Sequence, residues 1–205
     1  MSNMKVARIA GLCAAVWCCA FAQRPTIPDH IAQNGGRPVS LPILRDTQPV
    51  SVRDLAAADL VVLGELVPQR AYMNDRQTEI YTEYQVIAQR VIADRLGIMS
   101  TSNRPGAPVR LLVELPGGEL VVNGTKVVVE DLSRTRWAEG ANLLMFLKQT
   151  SDANRFRLYG GSAGLFEVQA PGRIESRLKH EEKDKEVGAL TFEQIVEIIT
   201  TPRSQ

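Results

Sequence analysis

Leu60-Val61-Val62-Leu63-Gly64-Glu65-Leu66-Val67, followed by the run from Glu79 to Ile92, is the stretch that decides the fold. The first segment is almost continuously apolar, the pattern of a strand buried on both faces, and Pro68 is expected to end it. The second alternates. Ile80, Thr82, Tyr84, Val86 and Ala88 share one face, while Tyr81, Glu83, Gln85 and Gln89 share the other. The run from 79 to 92 is long for a strand. A strand of that length curls or breaks its ladder with a bulge, which favours a barrel.

The pattern continues downstream. After a polar loop, Arg95 to Pro108, comes a strand at Val109 to Leu115, closed by Pro116-Gly117-Gly118. Asn123-Gly124 then sits between the apolar runs 119–122 and 125–130. That is a type I′ hairpin signature, because both central residues need positive φ. Further strands are expected at Asn142 to Lys148, Arg155 to Tyr159, Leu165 to Gln169 and Arg173 to Arg177, with Gly160-Gly161-Ser162-Ala163-Gly164 as a glycine-rich hairpin loop. There is no βαβ alternation, so the expected class is mainly β: an antiparallel OB-like barrel or sandwich of about seven strands. Two helices flank it. Ser51 caps a short one through Ala58, with Asp54 at the third helical position. Thr191 and Gln194 form a capping box for a C-terminal amphipathic helix whose Phe192, Ile195, Val196 and Ile199 share a face, and Pro202 stops it.

The N-terminus sets compartment and redox chemistry together. Lys5 and Arg8 precede an uncharged apolar stretch, Ile9 to Phe21, and Ala20-Phe21-Ala22 is a small-x-small cleavage pattern. Residues 1–22 are therefore expected to be a Sec-type signal peptide, placing the mature protein in the periplasm or outside the cell. The stretch is too short to span a bilayer, which needs about 20 residues. All three cysteines, Cys13, Cys18 and Cys19, would leave with it. Thiol catalysis and disulfides would leave with them. Removing Lys5 and Arg8 from 24 basic residues leaves 22 against 23 acidic ones, a balance with no electrostatic footprint for nucleic acid. Residues 23–50 hold five of the eleven prolines and are expected to be an extended linker, 51–178 the β-domain, and 179–205 a charged linker with the final helix.

Candidate chemistry is thin. The Gly160 to Gly164 segment matches G-x-S-x-G, but that motif exposes its serine only where a strand turns into a helix. His30 and His180, the histidines, lie in the linker and the charged run, away from any rigid element that could present a base to Ser162. Two scattered histidines and no cysteine make a poor zinc set. The acids Asp75 and Glu79, or Glu181, Glu182, Asp184 and Glu186, match no calcium loop. Neither a cofactor nor a metal is expected. Glu65 and Glu83 could be a carboxylate pair, or could be neutralised by Arg70 or Arg90. Asn123-Gly124-Thr125 is also a glycosylation sequon, although the hairpin accounts for it. Tyr72, Tyr81, Tyr84 and Trp137 are either strand-face packing or an aromatic surface for a ligand.

Ala58-Asp59-Leu60-Val61-Val62-Leu63-Gly64-Glu65-Leu66 and Ile80-Tyr81-Thr82-Glu83-Tyr84 resemble a family of uncharacterised exported bacterial proteins that pair an ADxVVxGEV strand with a YTEYxV strand. The Pro116-Gly117-Gly118 turn, the Leu143 to Leu147 strand and Gly160-Gly161 with Phe166-Glu167-Val168 extend the resemblance over about residues 55–200. It implies no activity and no catalytic residues. More distantly, the chain is similar to netrin-like domains of the metalloproteinase-inhibitor type, which implies an OB barrel. Those inhibitors act through an N-terminal cysteine, which the mature chain lacks.

The function expected is an exported, non-enzymatic binding module for a protein or small ligand, with Tyr72, Tyr81 and Glu83 or the 95–108 loop as partner surface. The alternatives are a small hydrolase using Ser162 and a structural component of the envelope with 23–50 as spacer.

Overall fold

The computed structural model describes residues 24–43, 50–99, 111–132, 136–152, 154–169, 172–176 and 190–201. In chain order they form α1 (Ile27–Gln33), β1 (Val39–Ile43), α2 (Val52–Leu55), β2 (Leu60–Met73), β3 (Ile80–Asp94), β4 (Leu111–Pro116), β5 (Gly118–Val122) and β6 (Thr125–Asp131). There follow β7 (Leu143–Gln149), β8 (Arg155–Leu158), a 3₁₀ turn (Gly161–Gly164), β9 (Leu165–Gln169), β10 (Arg173–Ser176) and α3 (Phe192–Thr200).

Five strands close a barrel in the cyclic order β7-β2-β3-β4-β8, an OB-like topology. Its curvature is concentrated where the sequence places a glycine and three extra residues. The β2–β3 register shifts between Val61 and Val62, between Leu63 and Gly64, and between Pro68 and Arg70. At Gly64 an added Cβ would lie 2.2 Å from the Ile87 carbonyl oxygen, so only glycine lets the two backbones approach this closely. The long strand thus curls and bulges as its length required.

Three apolar clusters hold the molecule. The barrel interior is filled by Leu60, Val62, Leu66, Val86, Val113, Met145 and Phe156 among others. Val61, Leu144, Phe146 and Phe166 point to the outside of the barrel, where α2 and α3 cover them through Leu55, Phe192, Ile195 and Ile199. A third cluster joins Ile27 and Ile31 of α1 to Val127 and Val129 of β6 and Ile80 of β3, beneath the small sheet β1-β6-β5.

Several expectations are corrected. Residues 24–43 are not an extended linker. Thr26 caps α1, with Asp29 N donating to Thr26 Oγ1 at 3.3 Å and Thr26 N to Asp29 Oδ2 at 2.8 Å. The prolines counted as breakers lie where they are tolerated: Pro28 in the first turn of α1, and Pro42 in the edge strand β1. Pro68 does not end β2. The bulge beside it absorbs the missing donor, and pairing resumes at Arg70↔Glu83. The sheets are not wholly antiparallel, since β4–β8 and β1–β6 are parallel. The glycine-rich segment is not a hairpin loop. β8 and β9 lie end to end along the same edge of β7, and the 3₁₀ turn between them lets β8 turn to β4 while β9 pairs with β10. The last helix docks by its apolar stripe as its pattern predicts, with Phe192, Ile195 and Ile199 buried in the cluster with Val61 and Phe146. The Asn-Gly hairpin has the expected geometry, φ 51° at Asn123 and 78° at Gly124.

Candidate functional site

The structure divides the four aromatics into two pairs. Tyr72 and Tyr81 are cross-strand partners on the outer face of the barrel, stacked with centroids 6.1 Å apart. Beside them a charged ladder crosses four strands in register, Arg70↔Glu83↔Glu114↔Arg157. Glu83 and Glu114 face each other on neighbouring strands, a destabilising arrangement unless cations intervene. Arg155 does so, with Nη2 3.2 Å from Glu83 Oε2 and Nη1 3.3 Å from Glu114 Oε1. Arg70 adds Nε to Glu83 Oε1 at 3.1 Å, and Arg157 adds Nε to Glu114 Oε2 at 3.2 Å. Tyr72 donates its hydroxyl to Glu114 Oε1 at 2.5 Å. Partial burial, followed by that hydrogen bond and the Glu114 charge, pushes the Tyr72 phenol well above the ordinary tyrosine range.

Tyr72, Tyr81 and Glu83 are therefore neighbours, but their polar atoms are engaged by other residues: Glu114, Glu79 and two arginines. Tyr81 donates to Glu79. Glu83 is 5% exposed and held by two arginines. The neutralised reading of Glu83 is the one observed, with Arg155 joining the anticipated Arg70. Glu65 instead accepts from Gln89 Nε2 at 3.2 Å, and its register partner is Ile87. Glu114 was hidden in an apolar run, although the alternation Leu111, Val113, Leu115 against Leu112, Glu114 already put it on the outer face. As a carboxylate pair, Glu83 and Glu114 are tied to guanidinium groups and to a phenol, a lattice that fastens four strands.

The second pair lies elsewhere. Tyr84 and Trp137, with centroids 5.8 Å apart and planes inclined at 59°, border a groove of about 680 Å³. This volume lies within the usual range for small-ligand sites. The groove opens because the chain leaves the barrel abruptly: β4 ends at Pro116 and β5 begins at Gly118. Gly117 and Gly118, at φ 94° and 140°, make that corner, fastened by Gly117 N to the Ile80 carbonyl at 2.8 Å and by the Thr82 hydroxyl to the Gly117 carbonyl at 2.7 Å. A side chain at Gly118 would strike Thr82 Oγ1. Leu66 and Pro68 of β2 form the barrel wall, Val128 of β6 lies opposite, and Glu119, Glu130, Asp131, Arg136 and Glu139 also line the site. Of this lining, the sequence offers only Trp137 and Tyr84 as candidate ligand contacts. The acids are scattered over 119–139 and converge only through the corner.

Ser162 is buried, at 6% exposure, within the 3₁₀ turn. His30 is on α1, whose Ile27 and Ile31 belong to the third cluster, whereas a Cβ added at Gly160, beside that turn, would meet Leu55 and Val50. His180, the acidic run 181–186, residues 1–22 and most of the 95–108 loop lie outside the described residues. Among the described residues no group of three or more His, Cys, Asp or Glu side chains could hold a metal ion, and no helix is long and apolar enough to cross a membrane. The sequence matches no family model, and no curated protein is significantly similar to it.

Proposed function

We propose that this chain is an exported, non-enzymatic binding domain that holds its ligand in the groove between the barrel and the small sheet. The observation that carries the reading is the groove itself, with two inclined aromatic rings and charged residues lining it beside the Gly117-Gly118 corner. Export follows from the signal pattern of residues 1–22, and with it a mature chain without thiols. Two features weigh against the alternatives. Ser162 is buried within a 3₁₀ turn between two strands, not displayed where a strand turns into a helix. Residues 27–43 are built into the third cluster and the small sheet, so they do not serve as a free spacer.

Val128→Trp, which fills the groove from the small sheet, tests the reading. Envelope extract passed over the immobilised chain should leave a component that the Val128→Trp chain fails to retain. Equal retention on both chains, or on neither, refutes it.

A further inference from the structure

We propose that Asn123 is a site of spontaneous covalent modification, losing its amide nitrogen through a cyclic imide with Gly124, and that the fold spares the chain's other Asn-Gly pair, Asn34-Gly35, from the same reaction. The inference is independent of the groove. The backbone nitrogen of Gly124 attacks Cγ of Asn123. A C–N bond forms, and the side-chain nitrogen departs as ammonia with the Gly124 amide proton. Water then opens the imide at either carbonyl, leaving aspartate or isoaspartate, and no other reactant enters. Glycine permits the attack because no Cβ crowds its nitrogen. At Gly124 even an added Cβ would meet nothing within 4 Å, so the surroundings do not obstruct it.

The two pairs have equal standing in the sequence, and both asparagines are exposed. Their hydrogen bonds separate them. Asn34 ends α1, where its own N donates to the His30 carbonyl at 3.1 Å and Gly35 N donates to the Ala32 carbonyl at 3.2 Å. Its side-chain Nδ2 donates to the Pro38 carbonyl at 3.1 Å. The attacking nitrogen and the amide under attack are thus both held. Asn123 stands at the tip of the β5–β6 hairpin, and among the described residues neither its carboxamide nor the Gly124 N–H has a hydrogen-bond partner. Ring closure needs the Gly124 nitrogen eclipsed with Asn123 Cβ, so the turn must first rotate about the Asn123 Cα–C bond. That opening is confined to the two tip residues, beyond the last ladder pair, Val122↔Thr125.

The isoaspartate product carries the main chain through Cβ and lengthens it by one methylene. It does so beside Thr125, whose hydroxyl donates to the Gly36 carbonyl at 3.2 Å and ties the hairpin to the end of α1.

The experiment incubates the full chain at mildly alkaline pH, folded and in urea. Peptide mass spectrometry follows both asparagines, and isoaspartyl methyltransferase labelling reports the rearranged product. In the folded chain Asn123 should convert about 5- to 150-fold faster than Asn34, the factor for the two hydrogen bonds, from Gly35 N and from Asn34 Nδ2, that only Asn34 must release. In urea that advantage should vanish. Equal rates in the folded chain, or faster loss at Asn34, overturn the proposal. So does an advantage of Asn123 that persists in urea, since it would trace to the neighbouring residues and not to the fold. A folded Asn123 that stays intact while the unfolded chain loses both amides overturns it too, as does a sugar found on Asn123, the other use of its sequon.

Discussion

Gly64→Ala puts the barrel geometry to its most direct test. Gly64 has no positive φ to protect, so the glycine is required by space alone. The added Cβ would lie 2.2 Å from the Ile87 carbonyl oxygen and 3.0 Å from Ala88 Cα, where real contacts stay beyond 3.0 Å. β2 and β3 would have to part by about 0.8 Å, the gap between 2.2 and 3.0 Å. Neither strand can yield easily. Gly64 is also paired with Leu143 on its other edge, and the ring of strands is closed. Overpacking of this kind costs about 1–3 kcal/mol, while the stiffer unfolded chain returns about 0.4–1 kcal/mol. The expected net loss is about 1–2 kcal/mol, or a midpoint lower by about 2–8 °C for a chain of this size. Urea unfolding followed by Trp137 emission in the Trp17→Phe chain measures it, and the slope should stay constant while the midpoint falls. Gly64→Val should cost more than Gly64→Ala. A wild-type midpoint for Gly64→Ala, or equal costs for the two, would refute the steric account.

The ionic lattice and its neighbours give three further expectations. Arg155→Met leaves Glu83 and Glu114 facing each other and should cost about 1–3 kcal/mol, below the 3–5 of a fully orphaned buried charge because Arg70, Arg157 and Tyr72 remain. Adding Glu114→Gln should recover part of that loss in urea unfolding, and strict additivity would sink the idea. The raised Tyr72 phenol keeps its proton in the folded chain above about pH 10, where the unfolded chain loses it, so stability should fall as pH rises past that point. Urea midpoints measured across alkaline pH should show this slope in the wild type and a shallower one in Tyr72→Phe. Asp59 is the opposite case. Partial burial alone would raise its carboxyl, but the Lys148 ammonium at 2.8 Å, the Gln149 N–H at 3.0 Å and the Lys148 and Arg95 charges outweigh it and lower it. Its contribution is then present above about pH 4 and lost as pH falls through the lowered value, and Asp59→Asn should flatten the acid limb of the stability curve.

Much of the fold was legible because it rests on local signals. The alternation of β3, the Asn123-Gly124 turn, and the capping boxes at Ser51 and Thr191 each declare themselves within a few residues. A third capping box, Thr26 with Asp29, carried the same signal and was masked by the proline count around it. What was not legible depends on long-range partners. Nothing near Arg155 in the sequence says that β8 will lie parallel to β4 and bring its guanidinium between two glutamates. Nothing near Gly160 says that the chain will stay on the edge of β7 instead of turning back on itself.

The separation of the aromatic pairs follows from one residue. Before Pro68 the even-numbered side chains of β2, Leu60, Val62 and Leu66, point into the barrel, and Pro68 continues them along the groove wall. Gln69 is the residue skipped between Pro68↔Tyr84 and Arg70↔Glu83, and it reverses the parity. Beyond it Arg70 and Tyr72 face outward to meet Glu83 and Tyr81, while Ala71 and Met73 turn inward to the third cluster. On β3 no such reversal intervenes between Tyr81 and Tyr84, so those two tyrosines take opposite faces by simple alternation. Without the bulge, Tyr72 would share the inward face with Pro68, the ladder would lose Arg70 and Tyr72, and the groove would lose its open wall. The irregularity at Gln69 is thus what allows a closed ionic lattice and an open aromatic groove to be built from the same pair of strands.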